Sequence, residues 1–191
     1  MEQIKEMLVE QLRDAHSAER QAIQGMKRNL RKVTDPKLRE GIEAHIEQSE
    51  TQRERVEQAL TSLGARPGRK VCEAMRGLVE EAQHEQEEQE KGPLLDLVTI
   101  AALQRIEHYE ISAYGTMTEL ARALEQNEVA NLLGQTLQEE KAQDEKLTEV
   151  TRSSVLPAVL QMGEEEEEDE GEEERSGRKR SARKTSAKRS G

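Results

Sequence analysis

Apolar residues recur every three or four positions through four long stretches of this chain, separated by abrupt breaks. In residues 2–32, Ile4, Leu8, Leu12, Ala15, Ala22 and Met26 keep one face apolar, which predicts a first long helix. Residues 34–37 end it and start the next: Asp35 is a good N-cap, and Pro36 suits the first helical position. The second helix is expected to run to Leu63, with Gly64 as its stop. Beyond residues 64–68, a middle segment is amphipathic over 71–82 and wholly polar over 83–91, so its second half should fray or lie on the surface. Gly92 and Pro93 break the chain again. A third long helix is expected over 94–124 and a fourth over 128–150, with residues 153–159 as a short appendage.

Phe and Trp are absent, and Tyr109 and Tyr114 are the only aromatics. A core must therefore come from Leu, Ile, Val, Ala and Met, which suits packed helices better than a β-sandwich of aromatic and β-branched strands. Two long hairpins joined by a crossover that carries its own helix predict an all-α protein. The architecture expected is a ferritin-like four-helix bundle with an additional crossover helix, because bundles with one long crossover take that form.

The apolar stripes contain carboxylates. Glu19 lies in the apolar face of the first helix, between Ala15 and Ala22, and Glu107 and Glu110 interrupt the stripe from Ile100 to Ala121. In the fourth helix, Val129, Leu133, Leu137, Glu140, Asp144 and Leu147 fall on one line, so Glu140 and Asp144 are expected to point inward. The second helix differs: its stripe is Leu38, Ile42, His45, Ser49, Gln52, Val56 and Leu63, while Glu47 and Glu50 face outward. Acidic pairs three residues apart carry no weight by themselves, because this acid content yields about eight by chance. Height is more telling. Folding the first hairpin about residue 34 puts Glu19 level with residue 49, and folding the second about residue 126 puts Glu107 and Glu110 beside Asp144 and Glu140.

Several carboxylates in one dry site repel one another and are expensive to ionise unless cations balance them. An oxygen-rich donor set with an occasional imidazole suits iron or manganese. Glu19, Glu107, Glu110, Glu140 and Asp144 are thus candidate metal ligands, with His45 as the nitrogen donor and His16 as its substitute. The alternative is structural: the acids pair with Lys or Arg, bond to Tyr114 or sit at a wetter edge, and His45 is a hydrogen-bonded core residue. His84 and His108 read as surface residues, and Cys72 as a small buried hydrophobe.

Residues 17–21 (SAERQ), 72–82 (CEAMRGLVEEA), 106–116 (IEHYEISAYGT) and 136–147 (TLQEEKAQDEKL) resemble the bacterial YciE/YciF-type ferritin-like family, in the same order along the chain. The resemblance covers residues 1 to 150 and implies a rubrerythrin-like bundle, often dimeric, in stress-associated proteins. It implies carboxylates at Glu19, Glu107, Glu110, Glu140 and Asp144, the same positions for which the buried-acid chemistry predicts a di-iron or di-manganese cofactor. The chain departs from the wider di-iron pattern in two places. Its second helix lacks Glu-x-x-His, and Gln143 or Asp144 stands where a rubrerythrin has histidine.

The formal net charge is -11, unevenly spread. Residues 164–174 hold ten acids and residues 175–191 eight Lys or Arg. Such blocks cannot bury enough apolar surface to fold, so a bundle over 1–162 and a disordered tail over 163–191 are expected. The body remains acidic, with 30 acids against 21 bases in residues 1–162. Nucleic-acid binding through the basic block is therefore open but not favoured, since adjacent acids neutralise it and the body repels phosphates. No membrane span or basic, apolar leader is evident, and a lone cysteine precludes an internal disulfide, so cytoplasm is the expected location. A homodimer is the expected assembly.

Overall fold

The computed structural model describes residues 1–164. Its helices are α1 (Glu2–Asn29), α2 (Pro36–Ser62), α3 (Glu73–Glu87), α4 (Pro93–Ala123) and α5 (Asn127–Val150). No strand occurs among the described residues.

Local chemistry sets the helix ends. The Asp35 carboxylate accepts from Leu38 N at 2.8 Å, and Pro36 opens α2 without wasting a donor. At the other end Gly64 adopts φ 75°, and Ala65 N and Gly64 N close back onto Leu60 O at 2.8 Å and Thr61 O at 2.9 Å. These paired bonds satisfy carbonyls the helix leaves open. The α4–α5 turn repeats the device with Glu125 at φ 57°, where a side chain is less comfortable than glycine. Asp96, buried in the first turn of α4, accepts from Thr34 N at 2.8 Å and Asp35 N at 2.7 Å, tying the α1–α2 turn to the second hairpin.

Around the bundle α1 packs on α2, α2 on α5, α5 on α4 and α4 on α1. The crossover helix α3 covers the seam between α1 and α4. Its start is pinned to α1: Cys72 N donates to Ser17 Oγ at 3.0 Å, and Gln21 Nε2 donates to Cys72 O at 3.0 Å. Cys72 is buried and caps α3, its sulfur accepting from Met75 N at 3.4 Å. The second half of the crossover lies largely on the surface, as expected, although Gln86 is buried and donates to Thr99 Oγ1 at 3.1 Å.

Two apolar clusters fill opposite ends of the bundle. Leu8, Leu12, Val56, Leu60, Met117 and Leu133 form one, and Ile23, Ile42, Leu103 and Leu147 belong to the other. On all four long helices a polar layer lies between them.

Three expectations need correction. Ile4 is 36% exposed, so the apolar stripe of α1 is buried only from Leu8 onward. Residues 153–159 are not an appendage: α5 passes through a π-helical turn (Thr151–Val155) and continues as α-helix to 164. The widened turn ends two residues before Pro157, which lacks the N–H that a regular turn requires. Gly163 and Glu164, expected in the tail, are the last described residues of that helix, and the rest of the tail lies outside the described residues.

Candidate metal centre

The polar layer begins with small residues. On α1, Ala15, Ala18 and Ala22 surround Glu19 and leave room for a carboxylate in the core. On α4, Glu107 and Glu110 sit between Leu103 and Tyr114, and α5 adds Glu140 and α2 adds His45. All five are buried: Glu107 and Glu140 are 0% exposed, Glu19 1%, His45 2% and Glu110 3%. The sequence stripes placed these five residues in the core, and the fold puts them there.

The geometry joins three helices. His45 Nε2 lies 3.0 Å from Glu107 Oε1 and 3.9 Å from Glu140 Oε2. One donor atom from each of His45, Glu107 and Glu140 falls within 4.8 Å of the others, an arrangement that could hold a metal ion. The Tyr114 hydroxyl donates a short hydrogen bond to Glu19 Oε1, which fixes that carboxylate from the α4 side.

Hydrogen bonding leaves the acids short of donors. No protein N–H or hydroxyl makes an aligned bond to either oxygen of Glu107 or Glu140, to Glu19 Oε2 or to Glu110 Oε1, and all six atoms are buried. His45 Nδ1 is likewise buried without a partner. Orphaned acceptors at this density are rare in proteins, where buried polar groups are almost always paired.

Burial is the main cause of the acids' altered protonation. It pushes Glu19 up to about 8, helped by the charge of Glu140 and opposed by the Tyr114 bond. It raises Glu107 to about 7, against a bond from Glu140 that lowers it. Burial and that same bond raise Glu140 to about 9, so both members of the pair are pushed toward the protonated form. Glu110 is raised well above the carboxylate range by burial and by Glu19, Glu140 and Glu107. Without a cation, these groups escape mutual repulsion by retaining protons.

Asp144 is a correction. It is not part of the buried group: its side chain is 23% exposed, accepts from Gln104 Nε2 at 3.0 Å and lies 3.5 Å from His108 Nε2. Gln143 turns inward instead, 3% exposed. Residues 143 and 144 both lie at three- or four-residue steps from Glu140 and Leu147, so the pattern cannot separate them. An amide is cheaper to bury than a further carboxylate, which decides it. His16 is also outside the site; its Nε2 lies 2.8 Å from Glu57 Oε1 at the α1–α2 seam. His84 and His108 are exposed, as expected.

Sequence reasoning missed an adjoining network. Gln52 Nε2 donates to Glu139 Oε2 at 3.1 Å, and Arg55 grips the same carboxylate with both terminal nitrogens, at 2.6 and 2.9 Å. Although burial opposes it, the Arg55 and Gln135 bonds hold Glu139 below the usual carboxylate value. The available signal was Arg55 lying three residues beyond the buried Gln52 on α2.

A family model described as a domain of unknown function, DUF892, matches residues 3–159, which span the whole bundle and every buried site residue. The chain belongs to the DUF892 family. Within it, the chain is 39% identical over 156 residues to Protein YciF of Escherichia coli strain K12, covering 81% of this chain and 94% of that protein. The crystal structure of the E. coli stress protein YciF superposes with a TM-score of 0.75 at 40% identity, covering 78% of this chain and 95% of that one. A ferritin-like diiron-carboxylate protein from Bacillus anthracis is similar in fold, with a TM-score of 0.62 at 18% identity over 78% of this chain and 99% of that one. This DUF892 protein is therefore an all-α, ferritin-like bundle related to a stress protein.

Proposed function

We propose that the polar layer is a di-metal carboxylate centre for iron or manganese, in a stress-associated protein that acts on peroxide or dioxygen. The observation that carries this is the set of six buried carboxylate oxygens that no backbone N–H or side-chain alcohol reaches, beside an imidazole with an unpartnered nitrogen. Hard oxygen donors with one nitrogen fit such ions. Glu19, Glu107, Glu110, Glu140 and His45 would hold the pair, which would supply Lewis-acid and redox chemistry toward a bound oxidant. The chain's own part is definable. Tyr114 orients Glu19, the two apolar clusters exclude water from above and below, and the acids release protons as cations arrive. Diiron-carboxylate binding in the fold neighbour from B. anthracis is consistent with this assignment.

The test is metal analysis of the full chain after reconstitution with Fe(II) or Mn(II). Binding of about one to two ions per chain, lost in Glu107→Ala, is expected. Less than about 0.2 per chain, unaffected by Glu19→Ala or Glu107→Ala, would reject the centre. That result would support a second reading, a non-catalytic helical interaction protein, which is favoured by the absence of a carboxylate ligand from α2 and by acids that can stay neutral. We also place the protein in the cytoplasm as a homodimer, an assembly that sedimentation of the full chain would test. No helix among the described residues is long and apolar enough to cross a membrane. Nucleic-acid binding through the basic residues of 175–191 remains the less favoured role, and removal of residues beyond Met162 would test it.

A further inference from the structure

A groove of about 480 Å³ runs between α2 and α5 on the outer surface of the bundle, and its floor includes His45. His45 is the only member of the buried acid group among its lining residues. The groove exists because α2 presents small residues there: Gly41 and Ala44 stand one turn apart on its wall. Nothing lies within 4 Å of where a Gly41 Cβ would be, and Ala44 is exposed, so neither residue is small because a neighbour presses on it. The mouth mixes Lys37 and Lys146 with Glu40 and Glu149 and carries no one-sided charge.

The ends are filled by the two apolar clusters, and the α1–α4 seam is covered by α3. His45 therefore has two environments: Nε2 faces Glu107 and Glu140, while the residue, 2% exposed, also lines the groove. We propose that the α2–α5 groove is the route by which divalent cations reach the acid layer, with His45 as the first ligand met. This rests on the metal assignment above, and the experiment is chosen so that the two can fail separately.

An obstruction on a route raises the barrier equally for arrival and departure. Filling the groove must then slow association and dissociation by the same factor and leave the equilibrium unchanged. Ala44→Trp and Gly41→Trp fill it from different positions with space to spare. Gly77→Trp, on α3 and equally uncrowded, is the control. Stopped-flow absorption of Co(II) by the full-length protein, followed by chelator-driven release, reads both rates, and circular dichroism checks the fold of each variant. The expected result is a tenfold or greater slowing of both uptake and release in Ala44→Trp and Gly41→Trp, with the same Kd as the parent, and unchanged rates in Gly77→Trp. Parent-like rates in folded groove variants that still bind Co(II) would overturn the route while leaving the metal centre standing. A changed Kd with an unchanged uptake rate would also overturn it, since that is what a merely structural disturbance produces. Failure of the parent protein to bind Co(II) at equilibrium would remove the metal assignment and the route with it.

Discussion

The ends of the bundle and its middle are built from opposite materials. At the ends, side chains such as Leu12, Leu60 and Leu133, or Ile42 and Leu103, are buried completely against their own kind. Each contributes roughly 1.5–3 kcal/mol by leaving water. In the middle, Glu19, His45, Gln52, Glu107, Glu110 and Glu140 are as deeply buried, and each carries a polar atom without a hydrogen-bond partner of regular geometry. A buried acceptor left unsatisfied costs about 1–3 kcal/mol, so the middle layer opposes folding while the ends drive it. A chain under selection for stability alone would fill the middle with leucine. That it does not is what the proposed metal centre accounts for.

The sharpest way to break this comparison is at an end. Leu133→Ala should cost about 2–5 kcal/mol in urea unfolding, because it leaves a cavity in a fully buried position. A loss below about 1 kcal/mol would mean that the ends do not carry the fold.

The next largest effect is on pH dependence. Glu107, Glu19 and Glu140 have folded-state values of about 7, 8 and 9 against an ordinary 4.5, so the folded protein holds protons that the unfolded chain releases. Their favourable contribution is fully present below about 4.5 and is lost as pH rises through the folded values. Each group changes stability by up to roughly 1.4 kcal/mol per pH unit in that window. A single such group accounts for about 2–3 kcal/mol between pH 5.5 and 7.5, so metal-free protein should lose at least about 2 kcal/mol over that range, measured by urea titration at each pH. Saturating Mn(II) should reverse the slope, because cations favour the deprotonated acids. A metal-free protein that gains stability over this range would contradict the buried, protonated layer.

A smaller effect is expected at Tyr114→Phe. It removes the donor to Glu19 and leaves another acid oxygen unpaired, for a loss of about 1–3 kcal/mol and weaker Mn(II) binding in isothermal titration. The smallest belongs to Asp144→Asn. Because Asp144 stands partly in solvent outside the acid layer, its change should stay within about 0.5 kcal/mol and leave metal stoichiometry untouched. A loss of one ion per chain would return Asp144 to the ligand set.

The contrast between ends and middle also explains what the sequence could disclose. Helices α1, α2, α4 and α5 were legible because long stripes of leucine and isoleucine bracket the polar positions, and brackets on both sides fix a helical phase. Glu107 and Glu110 were readable for that reason, flanked by Leu103 and Tyr114. Phase fails where a stripe offers two equivalent steps, as at Gln143 and Asp144, and only desolvation cost separates them. It fails again at Ile4, where the periodicity continues past the region the partner helices cover. The continuation of α5 was hidden because Ser153, Ser154 and Pro157 all signal a stop, while a π-turn absorbs the proline. Pairings such as Arg55 with Glu139 depend on which helices become neighbours, which a one-dimensional pattern does not contain.

The central claim is that positive charge belongs among these acids, and anomalous scattering locates it directly. Crystals of the full chain grown with Mn(II) at about pH 7.5 should show one or two anomalous peaks bounded by Glu19, His45, Glu107, Glu110 and Glu140, with Asp144 outside. An empty layer at saturating Mn(II), its carboxyl groups bonded to one another through their own protons, would contradict the account.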